Sequence, residues 1–190
     1  MRIRLRDKKG FTMIELLIVV AIIGITAAVA SPYIIDWIPT MRVNSAARDL
    51  VSEMQLARMK AVSERNDYVI TFDTTTNQYS IYDDNDSNFS TSNVLVKTVN
   101  LPSGIQFGYI AGKDPSNEDI TGSVQFGATS SPIRETFIPN GTANLMGSVY
   151  LIPTEDIAGS RRDRQRAITV IQTGRVKLWK YDSSSNPPWK

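Results

Sequence analysis

The feature that most constrains this chain is an apolar run of twenty residues near its N-terminus. From Phe11 to Ala30 the run contains a single charge, Glu15. As an α-helix it would be about 30 Å long, close to the hydrocarbon thickness of a bilayer. Basic residues precede it directly, which favours a cytoplasmic N-terminus. We therefore expect a membrane-spanning helix, with the following residues on the far side of the membrane.

The same run admits two other interpretations. Ala28-Val29-Ala30 matches the small-residue site at which secretory signals are cut, although the run is longer than the roughly 7–15 apolar residues of such a signal. A plain anchor leaves Glu15 unexplained, because an ionisable group at the centre of a span costs roughly 2.5–3.5 kcal/mol and less near the interface. Either interpretation predicts a membrane-anchored or secreted periplasmic protein of unknown activity.

The residues around the start of the run carry a more specific signal. A basic leader, Gly10-Phe11, Glu15 and the unbroken apolar segment occur in that order, which resembles the type IV prepilin signal. The resemblance implies that prepilin peptidase cleaves between Gly10 and Phe11 and that Phe11 is N-methylated. It also implies that the N-terminal helix assembles with other pilins or pseudopilins through Glu15. A neighbour's Glu15 could neutralise the Phe11 amine, since a paired charge is far cheaper in apolar surroundings.

The composition argues against catalysis. The 190 residues include no Cys and no His, which excludes disulfides, thiol nucleophiles, His-based triads and the usual zinc sites. The sequence has no Gly-rich phosphate loop either. The net charge of +2 is concentrated in residues 1–10, so the rest of the chain is not a generally basic nucleic-acid binder. We expect a protein that is not an enzyme and needs no cofactor or metal.

A second helical pattern follows the apolar run. Apolar residues recur at alternating spacings of four and three, which predicts one buried stripe. The stripe consists of Val43, Ala47, Leu50, Met54, Ala57 and Ala61. Pro32 and Pro39 precede it, and each should kink or loosen a helix because it lacks a backbone N–H. The pattern alone leaves two separate helices open, whereas the resemblance implies one long bent helix over residues 11–65.

Beyond Arg65 the hydrophobic period changes to two, which is typical of β-strands. Clusters of Gly, Pro, Asn and Ser separate the candidate segments. The predicted strands are residues 68–72, 78–82, 94–99, 105–110, 123–126, 135–138, 148–152, 167–171 and 175–181. Such a series implies an α+β fold, in which largely antiparallel sheets pack on the helix.

Landmarks in this β-rich part resemble the GspH/FimT family of minor pilins and pseudopilins. They are Leu101-Pro102-Ser103-Gly104-Ile105, Phe137-Ile138-Pro139-Asn140-Gly141 and Gly174-Arg175-Val176. The resemblance implies a subunit of a type II secretion or type IV pilus filament, anchored once in the bacterial inner membrane. It divides the chain into a leader (1–10), a transmembrane and filament-core helix (11–38), an amphipathic second helix half (39–66) and a periplasmic β-rich domain (67–190).

Basic and aromatic residues are concentrated near the C-terminus. Cations can meet phosphates while rings stack on bases. Gly174-Arg175-Val176-Lys177 is similar to the DNA-binding Gly-Arg-x-Arg element of FimT-like uptake pilins, with Lys replacing the second Arg. The candidate DNA-binding set is Arg161, Arg162, Arg164, Arg166, Arg175, Lys177, Trp179 and Lys180. Charge runs favour the alternative, a solvated strand face and an Arg-rich loop bonded to acidic neighbours.

An acidic run at residues 83–88 has part of the spacing of a calcium loop. Asp84, Asp86 and Asn88 match its first positions. Phe89 and Leu95 stand where such a loop needs Gly and Glu. A hairpin loop rich in turn-forming residues is expected instead.

Overall fold

The computed structural model describes residues 11–85, 89, 93–127 and 133–190, with the backbone alone at residues 30–35. Contacts divide the chain into two compact units, Met1–Ile38 and Pro39–Lys190, and the second is called the folded domain below. Predictions for the leader with Gly10, and for Asp86 and Asn88, lie outside the described residues.

Helix α1 (Met13–Glu64) is continuous through Pro32 and Pro39. The single long helix implied by the pilin resemblance is therefore confirmed, and the alternative of two separate helices is wrong. Each proline removes only one backbone donor, and the flanking residues retain the helical backbone.

Nine strands follow α1 in the described part of the chain, and each coincides with a predicted one. They are β1 (Asp67–Asp73), β2 (Gln78–Asp84), β3 (Val94–Asn100), β4 (Ile105–Phe107), β5 (Val124–Phe126), β6 (Ile133–Phe137), β7 (Gly147–Pro153), β8 (Arg166–Val170) and β9 (Val176–Lys180). A short helix, α2 (Thr154–Gly159), lies between β7 and β8 and was not predicted. Its six residues are too few to show a helical hydrophobic period.

The strands form two antiparallel sheets. Sheet A has the order β3-β2-β1-β6, and sheet B has the order β4-β7-β8-β9, with β5 also paired to β7. β4 and β5 lie end to end along one edge of β7, while β8 pairs with its other edge. The predicted α+β class with antiparallel sheets is confirmed.

The main core lies between the second half of α1 and both sheets. All six residues of the predicted helical stripe are at most 1% exposed, and Ala46 joins them at 3%. The small alanine side chains permit close approach of the helix to the strands. Phe72 of sheet A stacks on Phe126 of sheet B at 5.6 Å and meets Phe107 edge-on at 5.8 Å. These rings join the two sheets into one core.

Sheet B has a second, smaller core that the C-terminal residues complete. Trp189 is 4% exposed and packs with Tyr150 and Ala167. Its indole Nε1 donates to the carbonyl oxygen of Lys113 at 2.7 Å. Lys190 exchanges two backbone hydrogen bonds with Lys180. The end of the chain therefore covers part of the β9 edge.

Two of the family-like landmarks meet at one arginine that the sequence analysis did not single out. Arg58 of α1 donates from Nε to the Gly141 carbonyl at 2.7 Å and from Nη2 to the Thr173 carbonyl at 3.1 Å. Gly174 has φ +75°, and a Cβ there would lie 2.3 Å from the Gly141 oxygen. Only glycine permits this close approach. Arg58 thus fixes both turns against the helix.

Candidate functional site

The first candidate site is the apolar segment at the start of α1. Its bulky side chains are exposed on every face of the helix, for example Phe11 at 80%, Leu17 at 66% and Ile25 at 67%. A helix that is apolar all round requires a cover from outside itself. The surface is too large to be ordinary for a monomeric soluble protein.

Several polar groups in this segment are bonded within the helix. The Glu15 N–H donates to Thr12 Oγ1 at 3.3 Å, so Thr12 caps the helix. Thr12 and Glu15 have the spacing of a capping box, and a carboxylate is favourable in a first helical turn. Thr26 donates its hydroxyl to the Ile22 and Ile23 carbonyls, both at 3.0 Å. These bonds satisfy the Thr26 hydroxyl and one N–H of the first turn, which lowers the cost of covering the segment.

Across the residues that the structure describes, no helical stretch meets the length and hydrophobicity required to span a membrane.

The second candidate site is the basic set, and the structure does not bring its members together. Arg164 is 4% exposed and pairs with buried Asp156, where Nε donates to Oδ2 at 2.7 Å, and with Glu155 at 2.9 Å. Arg166 is 2% exposed, and its Nε donates to Asn44 Oδ1 at 2.7 Å. Both guanidinium groups are therefore buried and bonded to other parts of the protein, and neither lies on an open surface with the β9 residues.

The other two arginines of the predicted loop also contact the protein. Arg161 donates from Nε to Asp163 at 2.9 Å. Arg162 is half-buried, and its guanidinium lies beside Gly112. The segment 161–166 therefore matches the alternative prediction of an Arg-rich loop bonded to acidic neighbours at Arg161 and Arg164.

The basic residues of β9 divide between its two faces. Lys177 and Trp179 lie on one face, where Lys177 Nζ is 3.3 Å from the centre of the Trp179 ring. Trp179 donates from Nε1 to Thr169 at 2.9 Å. Lys180 is exposed and lies on the other face, that of Leu178. Arg175 precedes the strand and is exposed. Of the eight candidates, Arg175 and Lys177 are exposed beside the half-buried Trp179 and remain as one possible surface.

Carboxylates do not gather into a metal site in the described part of the chain. Asp84 is 2% exposed at the end of β2. One buried carboxyl that sequence analysis missed is Glu135 on β6, which is 0% exposed. It accepts the N–H groups of Thr136 at 3.0 Å and Leu145 at 3.1 Å, and burial raises its pKa to about 7. Alternation along β6 places Glu135 on the same face as the buried Phe137, so the strand period did carry a signal for this burial.

Two family models match the chain. One is described as the prokaryotic N-terminal methylation motif and matches residues 5–31. The other is described as type II transport protein GspH and matches residues 46–174. A fimbrial protein of Pseudomonas aeruginosa is 40% identical over 77 residues, which are 40% of this chain and 49% of that protein. The chain spans about half the length of such curated relatives.

Solved structures include similar folds. The minor pseudopilin EpsH from the type II secretion system of Vibrio cholerae aligns with a TM-score of 0.52 at 13% identity, over 77% of this chain and 99% of that one. The type IV minor pilin FimU of Pseudomonas aeruginosa aligns with a TM-score of 0.46 at 21% identity, over 72% and 87%. The likeness to EpsH shows a common fold.

Proposed function

This chain belongs to the GspH family of pilin-like proteins and carries the prokaryotic methylation motif, and we propose that it is a minor filament subunit processed by prepilin peptidase. The peptidase cleaves after Gly10 and methylates Phe11. Before assembly, residues 11–38 hold the subunit in the bacterial inner membrane, with the folded domain in the periplasm. The role is structural rather than catalytic, in a type II secretion system or a type IV pilus.

The observation that carries this proposal is the exposed apolar first half of α1. Met13 and Ile14, for example, are 82% and 68% exposed, and the helix has no polar face in this segment. Lipid can cover this surface before assembly, and the same segments of neighbouring subunits can cover it in a filament. Both covers bury apolar area at roughly 25 cal/mol per Å² relative to water.

Glu15 supports the proposal because it lies close in sequence to the N-terminus that processing would create. Cleavage after Gly10 would place a cationic amine on Phe11, four residues before Glu15. In an apolar bundle, an ammonium from one subunit and a carboxylate from the next compensate each other. Glu15 of one copy and Phe11 of its neighbour are the proposed pair.

The test is the mass of the mature N-terminus. The full chain is expressed in membranes with and without prepilin peptidase, next to a Gly10→Leu variant. We expect a chain that begins at methylated Phe11 only when both the peptidase and Gly10 are present. A chain that begins at Ser31, or at Met1 in every case, would overturn the proposal.

Glu15→Ala separates processing from assembly. We expect this variant to be cleaved and methylated normally but to be lost from filaments recovered by shearing. Glu118→Ala is the matched control, because that carboxylate is exposed on the folded domain. Normal incorporation of the Glu15 variant would contradict the pairing of Glu15 with Phe11.

A second candidate function is DNA binding in an uptake pilus, and the contact of exposed Lys177 with the half-buried Trp179 ring favours it. Arg175 in the adjacent turn adds a second cation. Phosphate contacts and base stacking together make a small, salt-sensitive binding surface. We expect affinity for single-stranded DNA that falls with salt and is lost in Arg175→Ala with Lys177→Ala. Equal binding by this double variant would exclude the candidate.

A further inference from the structure

A polar cleft lies at the end of β8 and β9, beside Thr40 of α1. Its volume is about 290 Å³. Thr40, Arg166, Lys180 and Ser183 line it, together with the carboxylates of Asp163 and Asp182. It lies on the opposite side of β9 from Lys177 and Trp179, because side chains alternate along a strand.

Arg166 is a buried cation held by neutral acceptors. Only 2% of the residue is exposed. Its Nε donates to Asn44 Oδ1 at 2.7 Å, and its Nη1 donates to the carbonyls of Asp163 at 3.1 Å and Gln165 at 2.8 Å. None of the carboxylates in the described ranges forms an ion pair with it. Burial lowers its pKa, which reflects the cost of this charge.

Lys180 places a second positive charge beside the first. In the β8–β9 ladder, Lys180 is the direct partner of Arg166. Like charges directly opposite each other destabilise a strand pair. Both side chains lie on the sheet face of Ile168 and Leu178, where Arg166 is buried and Lys180 is exposed. An anion between the two cations would remove their repulsion.

The acidic residues of the cleft are paired with other cations. Arg161 Nε lies 2.9 Å from Asp163 Oδ1. Lys190 Nζ pairs with Asp182. Arg164, which also borders the cleft, is held by Asp156. Asp163 also attracts Arg166 electrostatically. Its carboxylate is bonded to Arg161, however, and in the described ranges no carboxylate forms an ion pair with Arg166 or Lys180.

We propose that this cleft binds a single phosphate group, either free or on a phospholipid headgroup. A guanidinium and an ammonium are the usual cationic partners of phosphate oxygens. Thr40 and Ser183 border the same space. The lipid source rests on the proposed function, since Thr40 follows the proposed membrane segment 11–38 by two residues. The free anion does not depend on membrane insertion.

The first experiment is thermal unfolding of the full chain in detergent with sodium phosphate, against sodium chloride at equal ionic strength. The variants are Lys180→Gln and, as the matched control, Lys177→Gln on the other face of the same strand. We expect phosphate to raise the unfolding temperature of the wild type and of Lys177→Gln. In Lys180→Gln the apparent affinity should fall by about tenfold, as for loss of one charge-assisted hydrogen bond.

The second experiment distinguishes the two sources of phosphate. Native mass spectrometry counts phospholipids retained by the full chain after extraction from membranes. Retention by the wild type and Lys177→Gln, with loss in Lys180→Gln, identifies a headgroup. Stabilisation by phosphate without retained lipid identifies the free anion. No effect in either experiment, or equal effects in both variants, overturns the cleft proposal. If phosphate stabilises the chain but prepilin peptidase does not process it, the proposed function is overturned and the cleft proposal stands.

Discussion

The two halves of α1 differ in how much of their apolar surface is buried. In the first half, bulky side chains such as Leu17 are exposed on every face. In the second half, one stripe that includes Leu50 is fully buried by strands of the same chain. Both halves are helical. The difference shows that a segment can form a helix without burying its apolar side chains. The stripe of the second half is buried by strands of the folded domain.

The sharpest test of this contrast replaces one leucine with alanine in each half of α1. Leu50→Ala should lower the free energy of unfolding by about 3 kcal/mol, because it leaves a cavity in the core. Leu17→Ala should change it by less than about 0.5 kcal/mol, as at an exposed position. Denaturant unfolding of the full chain in detergent, followed by tryptophan fluorescence, measures both. Equal losses would mean that the first half also contributes to the folded core.

The second test uses the buried Glu135 of the folded domain. Its pKa is raised by burial to about 7 from an ordinary 4.5. Between these values the folded state keeps a proton that the unfolded state releases, so stability is greatest at low pH and falls as the pH rises. The loss amounts to about 3 kcal/mol by pH 8. Glu135→Gln should abolish this component.

The difference in unfolding free energy between Glu135→Gln and the wild type should therefore grow from pH 4.5 to pH 8. Exposed Glu118→Gln provides the control. Parallel pH profiles for the wild type and Glu135→Gln would show that this carboxyl is solvated in the folded protein.

The third test replaces a glycine with alanine in each region. We expect the two substitutions to change stability in opposite directions. Gly174→Ala should destabilise the domain by about 2 kcal/mol, because the backbone has a positive φ and the Cβ meets Gly141 and Arg58. A Cβ at Gly24 has nothing within 4 Å. Gly24→Ala should favour the helix by about 0.5–1 kcal/mol. Thermal unfolding and helix content by circular dichroism measure the two effects. Destabilisation by both would show that Gly24 is a close-packing site.

The smallest expected effect concerns surface charge. Lys113 Nζ lies 3.0 Å from Asp119, and both side chains are largely exposed. Lys113→Ala should change the unfolding free energy by less than about 0.5 kcal/mol. A loss comparable with that of Leu50→Ala would mean that ion pairs, rather than apolar burial, distinguish the domain from the first half of α1.

Much of the fold was predictable because the hydrophobic residues of the sequence repeat with the period of a helix or of a strand. The four-and-three spacing from Val43 to Ala61 identified the buried helical stripe, and alternation identified every strand. The bounds were less certain. Residues 105–110 were predicted as one strand, but β4 ends at Phe107. Gly108 departs from the strand while its N–H still donates to the Tyr150 carbonyl at 3.1 Å.

The candidate basic site was less predictable because its residues share a sequence segment but not a surface. Arg164 and Arg166 are close in the chain to Lys177 and Lys180, yet both are buried beside Asp156 and Asn44 respectively. Sequence spacing cannot reveal partners that lie on other elements. The role of Arg58 was hidden for the same reason, since Gly141 and Thr173 are 83 and 115 residues away.

The sequence by itself determined the apolar N-terminal segment, its methylation motif, the helical stripe and the nine strands, because each depends on the nature and period of neighbouring residues. Only the tertiary structure decided which charges are buried, which glycine turns meet at Arg58, and that Arg166 lies beside Lys180 at a cleft. Those contacts join residues far apart in the chain. They depend on strand register and sheet order, which local pattern leaves undetermined.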